Sequence, residues 1–183
     1  MELGRNEEAV AAYDQALEIN IRDEVAWNQK GLCMVRIGDY DSAVECFTRS
    51  VEINPKSVDT WNSIGTSLLH LTKYGDAIAA FDNAIGIQKS NVTAHQHRGM
   101  ALRNLSRLEE ALASFDVVLS VDPKSPDGHY QRGITLVEMG RDEDALASFD
   151  RALALDPDRP EVLKRRADAL QKLRRHEEAV AGY

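Results

Sequence analysis

The chain is poor in several things that would normally point to a function. It has only two cysteines in 183 residues, Cys33 and Cys46. They form no CxxC motif and no dense disulfide framework. Both stand where other stretches carry small residues: Cys33 aligns with Ser67, Ala101, Thr135 and Ala169, and Cys46 with Ala80, Ser114 and Ser148. The expectation is two small buried thiols in a reducing, cytoplasmic setting. No long apolar run appears, so no membrane span is expected, and no signal peptide is read at the start. The Asn91-Val92-Thr93 and Asn104-Leu105-Ser106 sequons are then accidental. A basic excess is missing too. The formal net charge is −8, which disfavours nucleic acid as the main partner, because a phosphate backbone needs a basic face. Base reading by helical repeats is set aside on the same ground. Residues 160–183 depart from the rest, with six Lys/Arg against four Asp/Glu. A solvated helix face accounts for that imbalance more simply than a docking surface does.

Catalytic motifs are absent. The chain contains no GxGxxG, no Walker-type loop, no HExxH and no nucleophile elbow. Its carboxylates fall at regularly phased surface positions. The reading is a protein without enzymatic activity and without a cofactor. His95 and His97 invite a metal reading, but residues two apart on a helix point to different sides. His97 could approach His70, and a groove histidine free for hydrogen bonding is the preferred reading.

What the chain has in abundance is one stretch, 24–57, repeated without insertion. Trp27 is followed by Gly31, Ala43, Phe47 and Pro55. The glycine returns every 34 residues as Gly65, Gly99 and Gly133. The alanine returns as Ala77, Ala111 and Ala145, and the phenylalanine as Phe81, Phe115 and Phe149. Capping chemistry recurs at one phase, with Asp23, Ser57, Asn91 and Ser125 ahead of apolar-periodic runs. Pro126 follows as a first helical residue. Gly38 and Gly140 stop their helices at matching places. Helices are expected at 24–37 and 41–54, 58–71 and 75–88, 92–105 and 109–121, 126–139 and 143–155, and 160–173. One lies ahead of these within residues 1–20, and a last one starts near Glu177 and runs to Tyr183. Connections this short make consecutive helices antiparallel neighbours. Gly in a helix interior costs about 0.5–1 kcal/mol relative to Ala, so four glycines in phase require a packing reason. Close backbone approach is that reason, with the four phenylalanines filling space between hairpins.

These residues, at this period, resemble the tetratricopeptide repeat (TPR) over the whole chain. The array reads as one domain, 1–183: a partial repeat at 1–23, full repeats at 24–57, 58–91, 92–125 and 126–159, and a partial repeat at 160–183. Departures are mild. His95, His129 and Leu163 replace the Trp, Ile21 and Lys89 the Pro, and Ala167 the Gly, which should loosen local packing. The resemblance implies an all-α, right-handed solenoid of antiparallel helix pairs, about eleven helices in all. It also implies a concave groove lined by first helices, where a peptide or protein segment binds. Its first row would be Asn28, Asn62, Gln96 and Tyr130, then Lys164. The second would be Leu32, Thr66, Met100 and Ile134, then Asp168. The third would be Val35, Leu69, Arg103 and Val137, then Gln171. Side-chain amides suit a peptide main chain, and the apolar members offer footing for its side chains.

A clamp for a chaperone C-terminal carboxylate, known in the family, is absent, because the rows read Asn28/Leu32 and Asn62/Thr66. A long Asn ladder is also absent, since its phase reads Gln29, Ser63, His97, Gln131 and Arg165. The leading expectation is a non-catalytic adaptor that holds a protein or peptide. The alternative is self-association into a homo-oligomer through end faces left open where the repeat breaks off. A third reading takes the chain as a fragment of a longer protein.

Overall fold

A computed structural model describes residues 2–181, with side chains described for 5–174. Among the described residues there are ten helices and no strand: α1 (Glu2–Ile19), α2 (Glu24–Ile37), α3 (Tyr40–Ile53), α4 (Val58–His70), α5 (Tyr74–Ile87), α6 (Val92–Asn104), α7 (Leu108–Val121), α8 (Pro126–Glu138), α9 (Asp142–Leu155) and α10 (Pro160–Ala181). The chain divides into two compact units, Met1–His97 and Arg98–Tyr183. The core of the first gathers Ala43, Phe47, Ile64, Ala77 and Phe81. That of the second gathers Leu136, Ala145, Phe149 and Ala152.

The reason for the phased glycines is visible at each hairpin. A Cβ on Gly31 would lie 2.6 Å from the Phe47 ring, on Gly65 2.5 Å from Phe81, on Gly99 2.7 Å from Phe115, and on Gly133 2.5 Å from Phe149. Each ring therefore presses against the backbone of the helix that precedes its own, within one hairpin. All four phenylalanines and their alanine partners Ala43, Ala77, Ala111 and Ala145 are completely buried.

Helix starts follow the capping reading with one variation. The Asp23 carboxylate accepts from the Ala26 amide, the Ser125 hydroxyl from Gly128, and the Asn91 side-chain oxygen from Ala94. Ser57 instead turns its hydroxyl to Thr60 at 2.7 Å. Asp39, which the sequence reading passed over, caps α3 through the Ser42 amide. Hydrogen bonds from the Ser42 side chain and then from its backbone N–H hold the Asp39 carboxyl below its ordinary value.

The turn inside each hairpin is one device used four times. At Gly38, Thr72, Ser106 and Gly140 the backbone is left-handed, with φ of 88°, 56°, 58° and 73°. The amide at each of these residues bonds a carbonyl three residues back, and the next amide bonds one five back. This is the double bond set of a Schellman ending. Glycine adopts it freely; Thr72 and Ser106 adopt it against a steric cost of roughly 1–2 kcal/mol each.

The same phase falls next on Arg174, and there the chain does not turn. α10 runs unbroken through it, in place of the two helices expected around 173 and 177. Arg is a good helix former and a poor left-handed residue, which leaves ten helices where about eleven were expected. The expected end of that last helix at Tyr183 lies outside the described residues.

Two outcomes test this packing. Gly65→Ala should destabilise the protein by about 1–3 kcal/mol, because overpacking against Phe81 outweighs the usual helical gain of about 0.5–1 kcal/mol. Thermal unfolding reads this, and Phe81→Leu added to Gly65→Ala should recover part of the loss. Thr72→Gly should instead raise stability by about 1 kcal/mol, or roughly 2–4 °C in Tm.

Candidate functional site

Helices α2, α3 and α4, with Thr93 of α6, line an open cavity of about 260 Å³ in the first unit. Four of the expected groove residues line it: Leu32 and Val35 from α2, and Asn62 and Thr66 from α4. Phe47 lies at its base, so the ring that covers Gly31 is also a wall of the cavity. Four further lining residues on these helices, Tyr40, Ser63, Ser67 and His70, were not read as groove residues. Tyr40 and His70 stack with centroids 4.3 Å apart and ring planes 4° from parallel. The sequence signal for them was weak: the Tyr40 phase carries Tyr74, Leu108 and Asp142 elsewhere, and the His70 phase carries Asn104 and Glu138.

The amides are less free than the sequence reading assumed. The Asn28 amide donates to the Thr60 hydroxyl at 2.8 Å, across to the next first helix. The Asn62 amide nitrogen donates to the Asn91 side-chain oxygen at 3.3 Å. That Asn91 oxygen also accepts the capping N–H of Ala94, so it fixes which end of the Asn62 amide faces it. The Asn62 side-chain oxygen is left buried without a partner among the described residues. Leu69 packs against the core of the first unit. Gln96 is half-buried on α6 and does not line the cavity.

In the second unit Met100 is half-buried on α6. Arg103 reaches α8, donating to the Gln131 side-chain oxygen at 2.7 Å and lying 3.8 Å from Glu138. Burial pushes its guanidinium down from the ordinary value. Tyr130 packs against Phe149 at 6.2 Å, with the Arg159 guanidinium 5.5 Å over its ring. Ile134 and Val137 pack against the core of this unit. These side chains largely hold one another. Lys164, Asp168 and Gln171 on α10 are exposed.

Two expectations about aromatic and histidine positions change. Trp27 donates its ring N–H to the Ile21 carbonyl at 2.8 Å, and Trp61 to Pro55 at 3.0 Å. His95 makes the same bond to Lys89 at 2.9 Å, and His129 to Pro123 at 3.0 Å. A carbonyl only accepts, so Nε2 carries the proton in both. Histidine thus keeps the tie that tryptophan makes, and the replacement does not loosen the helix entry as expected. His70 and His97 are each occupied by an aromatic neighbour: His70 stacks on Tyr40, and His97 lies 5.7 Å from Phe81. No group of three or more His, Cys, Asp or Glu among the described residues could hold a metal.

His97 has a buried Nδ1 without a partner among the described residues. Burial holds its imidazole below the ordinary value of 6.5. The unfolded chain therefore takes up this proton at a higher pH than the folded one, and the contribution to stability falls as pH drops below about 6.5. His97→Gln should lose less Tm than the wild type between about pH 7 and pH 5. An equal loss in calorimetry at both pH values would show that His97 carries none of it.

Comparison with known proteins agrees with this geometry. The family model described as anaphase-promoting complex, cyclosome, subunit 3 matches residues 2–84. Two models described as tetratricopeptide repeat match residues 62–128 and 126–159. Among solved structures, YrrB, described as a TPR protein with an unusual peptide-binding site, is 28% identical, with a TM-score of 0.80 over 89% of this chain and 84% of its own. MamA from MSR-1 is 27% identical, with a TM-score of 0.74 over 85% of this chain and 90% of its own. A thermophilic TPR protein in Thermus thermophilus, TTC0263, is 22% identical, with a TM-score of 0.68 over 93% of both chains, a likeness of fold alone. No curated protein sequence matches. Family models that together span most of the chain agree with the 34-residue period and with a hairpin contact repeated four times: the chain belongs to the tetratricopeptide repeat family.

Proposed function

We propose that this protein is a non-catalytic adaptor, and that the cavity of its first unit grips part of a bound peptide or protein segment. The fold is in general that of a protein–protein interaction scaffold. The observation that carries the finer reading is the cavity itself: half-buried Leu32 and Val35 face it beside Asn62 and Thr66. Apolar walls with a few polar groups are what a binding pocket needs. The 28% identical YrrB, with its peptide-binding site, supports the same reading. A cytoplasmic location belongs to the proposal, supported by Cys33 and Cys46, both buried and unbridged. Burial pushes the Cys46 thiol up, away from reactivity. No described helix is long and apolar enough to cross a membrane.

A random-peptide phage library panned on the intact protein tests this. Selected peptides should bind at least tenfold more weakly to Thr66→Leu, which fills the cavity, with a Tm close to wild type. Unchanged affinity by calorimetry, or no selected peptide, would remove the cavity from the function.

A second reading, self-association, is favoured by α10. Leu163 is 51% exposed and Leu170 40% exposed, seven residues apart on one helical face. Light scattering over a concentration series should then show a mass above the monomer that Leu163→Glu lowers. A constant monomer mass would end this reading.

A further inference from the structure

The hydrogen-bonding character of the cavity wall says what kind of group fits there. Along α4, three hydroxyls line the cavity, and each donates back to the carbonyl four residues earlier. Ser63 donates to Asp59 at 2.9 Å, Thr66 to Asn62 at 2.9 Å, and Ser67 to Ser63 at 2.9 Å. A hydroxyl whose proton is spent this way offers only lone pairs to a visitor. The Asn62 side-chain oxygen, buried and without a partner among the described residues, is a further acceptor on the same helix. The α4 wall is thus built from acceptors. Around it stand apolar Leu32 and Val35 from α2, Tyr40 stacked on His70 at the end of α4 itself, and Thr93 of α6. At about 260 Å³ the space lies below the range of roughly 300–1,000 Å³ typical of sites for free drug-sized ligands. It suits one side chain.

We propose that this cavity takes a single aromatic side chain that carries a ring donor, tryptophan or tyrosine, presented by an extended peptide. The inference rests on the peptide reading above. The ring packs against Leu32, Val35 and the Tyr40–His70 stack, and its N–H or O–H points to the Thr66 hydroxyl oxygen. A phenylalanine would fill the same volume but leave the acceptor wall without a donor. Sites built to bond such a group reject the analogue that lacks it.

Peptides selected from the random library supply the probes. Each should contain a Trp or Tyr whose replacement by Ala abolishes binding. Replacing a selected Tyr by Phe should weaken binding to the wild type by about tenfold, the size expected for a lost buried hydrogen bond. Thr66→Val keeps the shape of the wall and removes the acceptor. On that variant the Tyr peptide should fall to the level of the Phe peptide, with the Phe peptide unchanged. Circular dichroism and Tm check that the variant folds, and Thr66→Ala removes the same acceptor by a second route if it does not. Selected peptides without a common Trp or Tyr overturn the inference, as does an equal loss for Tyr and Phe peptides on Thr66→Val. If such peptides are nevertheless blocked by Thr66→Leu, the cavity remains the binding site and only its aromatic preference is wrong. If Thr66→Leu leaves binding intact, the peptide reading of the cavity fails with it.

Discussion

The contact on which the rest depends is a phenylalanine ring pressed against a glycine backbone. At Gly31, Gly65, Gly99 and Gly133 no Cβ can exist without entering the ring opposite, at 2.5–2.7 Å. Each glycine costs helix propensity, and that cost is offset by burying a whole aromatic ring, worth about 3–5 kcal/mol against alanine. The contact sets how closely the two helices of a hairpin approach. The Schellman turn between them then has a fixed gap to close, and it closes it the same way whether the turn residue is Gly38 or Thr72. Because the Phe47 ring is also a wall of the cavity, the core and the candidate site share an atom set. A site floored by a close-packed ring is pre-organised and loses little entropy on binding.

A second regularity ties one hairpin to the next. Lys30 pairs with Asp14 at 2.6 Å, Arg132 with Asp116 at 2.8 Å, and Arg166 with Asp150, each sixteen residues apart. Arg132 adds a bond to the Ser148 hydroxyl, and Arg98 bonds the Ser114 hydroxyl at the same phase. In these pairs the Lys30 and Arg132 side chains are half-buried while each Asp is exposed, and water at the carboxylate end keeps each contribution modest, on the order of 1 kcal/mol. The sequence breaks the pattern once, where Thr48 and Ile64 stand at the two phases. Ile64 is buried in the first core instead.

What was legible in the sequence follows from what each constraint demands of a residue. A position with no room for a Cβ admits only glycine, so the Gly–Phe framework could be read by spacing. A left-handed turn prefers glycine but tolerates others at a modest cost, so Gly38 and Gly140 were visible and Thr72 and Ser106 were not. A hydrogen bond to a carbonyl needs only a ring N–H, so His95 and His129 looked like departures while doing what Trp27 and Trp61 do. The unbroken α10 escaped for the opposite reason: the repeat phase predicts a turn at Arg174, and no local residue makes one. At the site, Leu32, Val35, Asn62 and Thr66 were legible from repeat phase alone. Tyr40 and His70 were not, because no other repeat sets an aromatic pair at these two phases: Tyr74 recurs at the first, but Asn104 stands at its partner phase. Asn28 shows the limit of phase reasoning, since its amide is consumed by Thr60.

The composition of α4 separates binding from architecture. Ser and Thr are indifferent helix formers because their hydroxyls compete for backbone carbonyls. α4 nonetheless carries Thr60, Ser63, Thr66 and Ser67 within thirteen residues. At the phases of Ser63, Thr66 and Ser67, α2 has Gln29, Leu32 and Cys33, α6 has His97, Met100 and Ala101, and α8 has Gln131, Ile134 and Thr135. At the Ser63 and Thr66 phases the fold is therefore satisfied by larger residues without a hydroxyl, while at the Ser67 phase α8 keeps one, the buried Thr135, which also bonds back to the carbonyl four residues earlier. On α4 the back-bonds of these hydroxyls leave only lone pairs free on the wall. Local choices that run against propensity without a packing return are where function is expected. In this chain they converge on the helix where an unpartnered amide oxygen also lies, and that convergence is independent of the framework that builds the hairpins.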